Sequence, residues 1–180
     1  MASRNIEDLV PELRDTARTL LANCRTRGIE MRIYETVRSP LEQGIIWRQS
    51  RTREQVQAQI RDFRNAGAEF LAFCIESVGP RSGRHVTDSP PGLSWHQWGE
   101  AFDAFWVVNG GAEWSATRKI NGLNGYRVYA EEAARLDVTA GGLWPRFKDW
   151  PHVQLRPEGS PTRIFSITEV DRVMRERFGG

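Results

Sequence analysis

The chain is poor in the residues that usually advertise metal or redox chemistry. Its 180 residues include three histidines (His85, His96, His152) and two cysteines (Cys24, Cys74). The cysteines form no CxxC pair, which argues against a cysteine zinc site or a dithiol motif. Each lies in an apolar helical pattern and reads as a buried small hydrophobe, with a single disulfide between them left open. No apolar run approaches the ~20 residues that a membrane-spanning helix needs. The opening residues 1–8 lack the apolar stretch of a secretory signal. Strong charge of one sign is also missing. The formal net charge is +2 with a pI near 8.8, and bases are interleaved with acids, so no nucleic-acid partner is expected. A content of 39% hydrophobic and 27% charged residues excludes a disordered chain. The length suits one domain, expected over residues 1–180.

Periodicity gives the elements. Leu9, Leu13, Ala17, Leu20 and Leu21 recur at helical spacing over 6–26, and Gly28 ends the pattern. Residues 30–37 alternate and read as a strand. Ser39-Pro40 opens a helix over about 40–50, and 53–76 reads as a longer helix that Gly67 could divide. Residues 79–92, rich in Gly, Pro, Ser and Asp, read as an exposed loop. Ala101 to Val108 is an apolar strand, followed by an Asn-Gly-Gly turn. A helix is expected over 126–136, a turn at Gly141-Gly142, a short strand over 152–155, and a last helix over about 167–177, near Thr168. The expected class is α+β, with N-terminal helices packed on a small antiparallel sheet.

Two of the scarce histidines sit near carboxylates. Asp103 lies inside an apolar strand, on a face shared with Ala101, Phe105 and Val107, where a carboxylate is costly unless something positive satisfies it. A metal would do so, and so would an arginine. His96 precedes it by seven residues, with Gly99 between them to bend the chain. His152 follows Asp149 by three. Two histidines and one carboxylate are a common zinc set that leaves a fourth position for water, and a spare carboxylate is what a zinc hydrolase needs to take a proton. His85, in a Gly/Arg loop, reads as a solvated residue. Trp95, Trp98, Trp144 and Trp150 flank these stretches as core residues, some of them candidates to line a cleft. The basic residues between Arg48 and Arg64 read as a solvated helix face.

Three blocks carry a resemblance. Ser94-x-His96-x-x-Gly99-x-Ala101-x-Asp103 resembles the SxHxxGxAxD signature of the LAS-type zinc peptidases, the D-Ala-D-Ala carboxypeptidase and L-alanyl-D-glutamate endopeptidase family. Residues 141–152 (GGLWPRFKDWPH) are similar to its GGxWxxFxDxPHF block, and residues 37–43 (VRSPLEQ) to its YRSxxxQ block. Thr36-Val37 stands where Gly-Tyr is usual before the arginine, and Val-Gln follows His152 where Phe-Glu or Phe-Gln is common.

The resemblance implies a fold of the hedgehog and DD-peptidase kind carrying one Zn2+. It implies His96, Asp103 and His152 as ligands, Asp149 as general base and then acid, Arg38 at the oxyanion, and Gln43 and Ser94 in support. It implies a monomeric peptidoglycan hydrolase of the phage endolysin or autolysin kind, acting on the stem peptide in the periplasm or wall. Without a visible signal, the protein would be cytoplasmic until lysis or specialised export. L-alanyl-D-glutamate endopeptidase is the expected activity. D-Ala-D-Ala carboxypeptidase and a non-catalytic zinc-containing binding domain are the alternatives.

Overall fold

A computed structural model describes residues 2–180. It holds six α-helices and a five-stranded antiparallel sheet among those residues, an α+β architecture. The chain forms two compact units and crosses from one to the other after Ala2, Val37, Gln97 and Pro157, the third crossing lying inside the one-turn 3-10 helix Trp95–Trp98.

The sheet unit comprises Ser3–Val37 and Trp98–Pro157. Its first helix, α1, spans Pro11–Thr26. Proline sets the start, because the residue before it is driven to extended backbone (Val10 φ −58, ψ 147). The expected helix over 6–26 is therefore split, and Ile6–Asp8 forms a separate 3-10 turn. Leu13, Ala17, Leu20 and Cys24 make the buried stripe of α1. Strand β1 (Met31–Glu35) pairs antiparallel with β2 (Ala101–Val108), with a bulge between Ile33 and Glu35. β3 (Gly111–Glu113) runs back along the far half of β2. Helix α5 (Gly125–Arg135) leads to β4 (Thr139–Ala140) and β5 (His152–Gln154), and the order is β1-β2-β5-β4.

β2 separates two environments by its period of two. Phe102, Ala104 and Trp106 are buried in one cluster with the α1 stripe and with Tyr126, Tyr129 and Ala133 of α5. Asp103 and Phe105, on the other face, are only partly buried. The alternation that packs the core thus holds a carboxylate out of it. The short strands β3 and β4 leave no mark in the sequence, since two or three residues carry no readable period.

The helical unit comprises Arg38–Gln97 and Glu158–Gly180, with Ala2. Its helices are α2 (Pro40–Arg48), α3 (Arg53–Asn65), α4 (Glu69–Glu76) and α6 (Ile167–Phe178). The first two and the last start with complete capping boxes: Ser39 with Glu42, Thr52 with Gln55, Ser166 with Glu169. The last helix is thus capped by Ser166, two residues before Thr168. The long pattern over 53–76 is indeed two helices, divided where Gly67 takes a φ of 76°. α4 has no side-chain cap of its own. Asp171 of α6 supplies one, accepting from the Leu71 N–H at 2.9 Å. Trp47, Val56, Ile60, Phe63, Leu71, Ile75, Val170 and Met174 fill this unit's interior.

Both cysteines are free and buried, Cys24 on α1 and Cys74 on α4. Burial pushes each thiol up to about 12. A thiol reagent should therefore react slowly with the native protein and titrate two thiols once denaturant is added, with no reductant present. Rapid native reaction, or a missing thiol after unfolding, would contradict this.

Candidate metal centre

The register of the sheet sets the site. Asp103 on β2 stands opposite His152 on β5, and on its other side opposite Glu35 of β1. Directly opposed residues of an antiparallel pair lie on the same face, so Glu35, Asp103 and His152 form one row across three strands. His152 is buried and Asp103 partly so. The His152 Nδ1 lies 3.0 Å from Asp103 Oδ1.

That contact needs a cation. The Gln154 amide donates from Nε2 to the Arg156 carbonyl at 2.6 Å, which turns its Oε1 toward His152 Nε2 at 3.1 Å. An oxygen can only accept, so His152 Nε2 carries the ring proton. Nδ1 of the neutral ring then presents a lone pair to a carboxylate oxygen, two acceptors in contact. A second proton on the ring can bridge them, and so can a metal. Burial depresses the imidazolium, but the hydrogen bond to Asp103, the charges of Asp103 and Asp149 and the Gln154 contact together raise its pKa above the ordinary value. The site thus attracts positive charge, and its neutral-ring state is set up to give Nδ1 to a metal, with Gln154 fixing the tautomer from behind.

His96 sits buried on the 3-10 turn Trp95–Trp98. His96, Asp103 and His152 each offer one ligand atom, and the three atoms lie within 4.8 Å of one another. Two imidazoles and a carboxylate fit zinc, whose catalytic sites use three protein ligands.

The turn that bears His96 is braced by a buried amide chain. Gln97 donates from Nε2 to Gln43 Oε1 at 3.0 Å and accepts from the Gly92 N–H, while Gln43 donates to the Ser89 carbonyl at 2.6 Å. Gln43 is fully buried, so its contact is with the frame of the turn. Ser94 closes the same turn through its carbonyl, which accepts from the Gln97 N–H at 3.0 Å. Arg38 is half-buried, one residue before the Ser39 cap of α2.

Asp149 is half-buried in the turn before β5. Its carbonyl accepts from the His152 N–H, and its own N–H donates to the Gly141 carbonyl, both at 3.2 Å. The Gly141-Gly142 pair has a steric cause. A Cβ on Gly141 would come within 2.4 Å of the Asp149 carbonyl oxygen and 3.1 Å of His152 Cβ, and one on Gly142 within 2.5 Å of the Trp150 ring. Two residues without side chains let the Asp149–His152 turn seat against the 3-10 turn Gly141–Leu143.

Other expectations fall as follows. His85 is exposed in its loop, 3.1 Å from Asp88. Trp95 and Trp98 are buried, whereas Trp144 and Trp150 are half-buried, the Trp144 ring lying 5.4 Å from that of His152. Glu35, Gln97 and Gln154 were not singled out from the sequence. The i, i+2 spacing of His152 and Gln154 on one strand face was the available signal for the last.

The chain matches the family model described as VanY, D-alanyl-D-alanine carboxypeptidase, over residues 7–124, a span that holds Arg38, His96 and Asp103 and ends before Asp149 and His152. It is 29% identical over 153 residues to the peptidoglycan L-alanyl-D-glutamate endopeptidase CwlK of Bacillus subtilis (strain 168), covering 83% of this chain and 75% of that protein. It is 27% identical over 161 residues to the L-alanyl-D-glutamate peptidase of Listeria phage A118, covering 89% of this chain but 43% of the phage protein. The crystal structure of the L-Ala D-Glu endopeptidase ChiX of Serratia marcescens aligns with a TM-score of 0.44 and 19% identity, over 87% of this chain and 89% of that one.

Gly141→Ala should weaken zinc binding and lower stability by about 1–3 kcal/mol, the usual cost of overpacking. Calorimetric titration with zinc and urea unfolding measure the two effects. Gly159→Ala is the control, because a Cβ there meets nothing within 4 Å. Wild-type affinity and stability for Gly141→Ala would contradict the steric account.

Proposed function

Because the chain belongs to the VanY family of D-alanyl-D-alanine carboxypeptidases, we propose that it is a zinc-dependent peptidase of the bacterial cell wall that cuts the L-alanyl-D-glutamate bond of peptidoglycan stem peptides. The observation that carries the metal part is the set of one ligand atom each from His96, Asp103 and His152 within 4.8 Å of one another, with Asp103 Oδ1 and His152 Nδ1 3.0 Å apart. The choice of bond is supported by the names of the two relatives. A second reading, removal of the terminal D-alanine, is favoured by the family's own description. Action at the wall belongs to the same proposal. No helix among the described residues is long and apolar enough to cross a membrane.

His96, Asp103 and His152 would hold the zinc. When bound, zinc supplies Lewis acidity that lets a water ionise near neutral pH. The remaining work falls to the chain. Asp149 is tied through its backbone to His152 and is not one of the three proposed ligands. It would take the water's proton and pass it to the leaving amine. Arg38 precedes a capped helix start, which limits how its guanidinium can move. It would meet the carbonyl oxygen as negative charge develops there, an interaction that grows toward the transition state.

Digestion of purified muropeptides with product masses decides the bond. Peptides released from the sugar with L-alanine left behind support the proposal, and loss of D-alanine alone supports the second reading. Two variants separate metal from base. His96→Ala should lose zinc and activity together. Asp149→Asn should keep zinc while turnover falls roughly 10²–10⁴-fold. Normal turnover by Asp149→Asn would show that another group takes the proton.

Arg38→Lys should lower kcat by about 10²–10³-fold with little change in KM. A variant with a lowered melting temperature and normal kcat would assign Arg38 to the fold instead.

A further inference from the structure

The site face of the sheet continues past the polar row. Two residues beyond Asp103 on β2, Phe105 stands opposite Arg32 of β1. On the other side the β3 register, with Trp106 opposite Glu113, brings Trp114 alongside Phe105. The Phe105 and Trp114 rings lie 5.8 Å apart. Tyr34, at the β1 bulge, meets Trp114 edge-on at 5.4 Å, and the Arg4 guanidinium covers the Tyr34 ring at 5.6 Å. The rings are not core: Trp114 is 52% and Tyr34 42% exposed. Three aromatic rings joined through Trp114, two of them about half exposed, are an unusual expense on a sheet whose opposite face already holds the core. Exposed apolar patches of this kind mark binding surfaces.

We propose that Trp114, its ring braced edge-on by Tyr34 and alongside by Phe105, forms a platform for the sugar ring to which the stem peptide is attached. The inference rests on the peptidoglycan endopeptidase reading above and adds how the bond is chosen. Peptidoglycan consists of amino sugars and short peptides of alanine, glutamate and a diamino acid. The sugars alone offer a broad ring face lined with C–H groups, the surface that packs on an aromatic ring while hydroxyls stay in water. The distance also agrees. Phe105 is two residues from Asp103, about 7 Å along the strand. L-alanine is joined to the sugar through a lactyl ether, so one amino-acid residue and one lactyl unit, also about 7 Å at the usual reach per residue, separate the bond after L-alanine from the ring. A bond at the far end of the stem peptide would leave the platform empty. The platform therefore selects the sugar-proximal bond.

The test compares two substrates with one scissile bond: the free tetrapeptide L-Ala-D-Glu-diamino acid-D-Ala, and the same peptide carried on N-acetylmuramic acid. Wild-type holoenzyme should show a higher kcat/KM on the sugar-bearing substrate, by roughly 2–10-fold for each aromatic contact made. Trp114→Ala should bring the ratio of the two kcat/KM values close to one, Tyr34→Ala should lower it, and Trp114→Phe should restore part of it, all with wild-type zinc content and melting temperature. An equal loss on both substrates would make the trio structural and overturn the inference, as would a wild-type enzyme that does not distinguish them. Neither result touches the endopeptidase reading. That reading fails, and the platform with it, if the wild type cuts neither substrate after L-alanine.

Discussion

The close approach of Asp103 Oδ1 and His152 Nδ1 is the interaction on which the functional account depends. Two lone-pair acceptors at 3.0 Å repel unless positive charge lies between them. The protein nevertheless fixes them there, by direct opposition in the sheet and by the Gln154 amide that commits the far side of the imidazole to a donor role. With Nε2 protonated, the Nδ1 side of the pair is completed either by a second ring proton or by a metal.

Much of the surrounding sequence supports that geometry. The apolar alternation of β2 buries Phe102, Ala104 and Trp106 and so leaves Asp103 on the opposite face. Gly141 and Gly142 make room for the Asp149 carbonyl and the Trp150 ring, which brings a second carboxylate within one turn of His152. Gln43, Gln97 and the Ser89 and Gly92 backbone lock the turn that bears His96. Each is a packing or hydrogen-bond constraint acting on a segment that carries a proposed ligand. Replacing any of them would misplace chemistry without removing a chemical group.

The legible parts of the sequence were those with a period or a motif. β2 is legible with its bounds, α2 from its Ser39-Pro40 start, α3 from its apolar periodicity, and the break at Gly67 from glycine chemistry. The expected ligand set rests on a spaced pattern, in which the Gly141-Gly142 positions have a steric cause visible in the fold. What could not be read were contacts made by distant pairing. Glu35 reaches the site row only through the β1 register, and its bulge was invisible in the alternation of residues 30–37. Trp114 looked like one tryptophan among seven, because β3 is three residues long. Gln97 lay inside the recognised motif yet gave no sign that Gln43 would be its partner, fifty-four positions away.

Anomalous diffraction at the zinc absorption edge, on crystals grown with one equivalent of zinc, tests the central claim most directly. The account predicts a single peak bonded to His96, Asp103 and Nδ1 of His152 at ~2.0–2.2 Å, with Gln154 still accepting from His152 Nε2. A peak bonded through Nε2 of His152, a peak elsewhere on the chain, or no peak at all would contradict it.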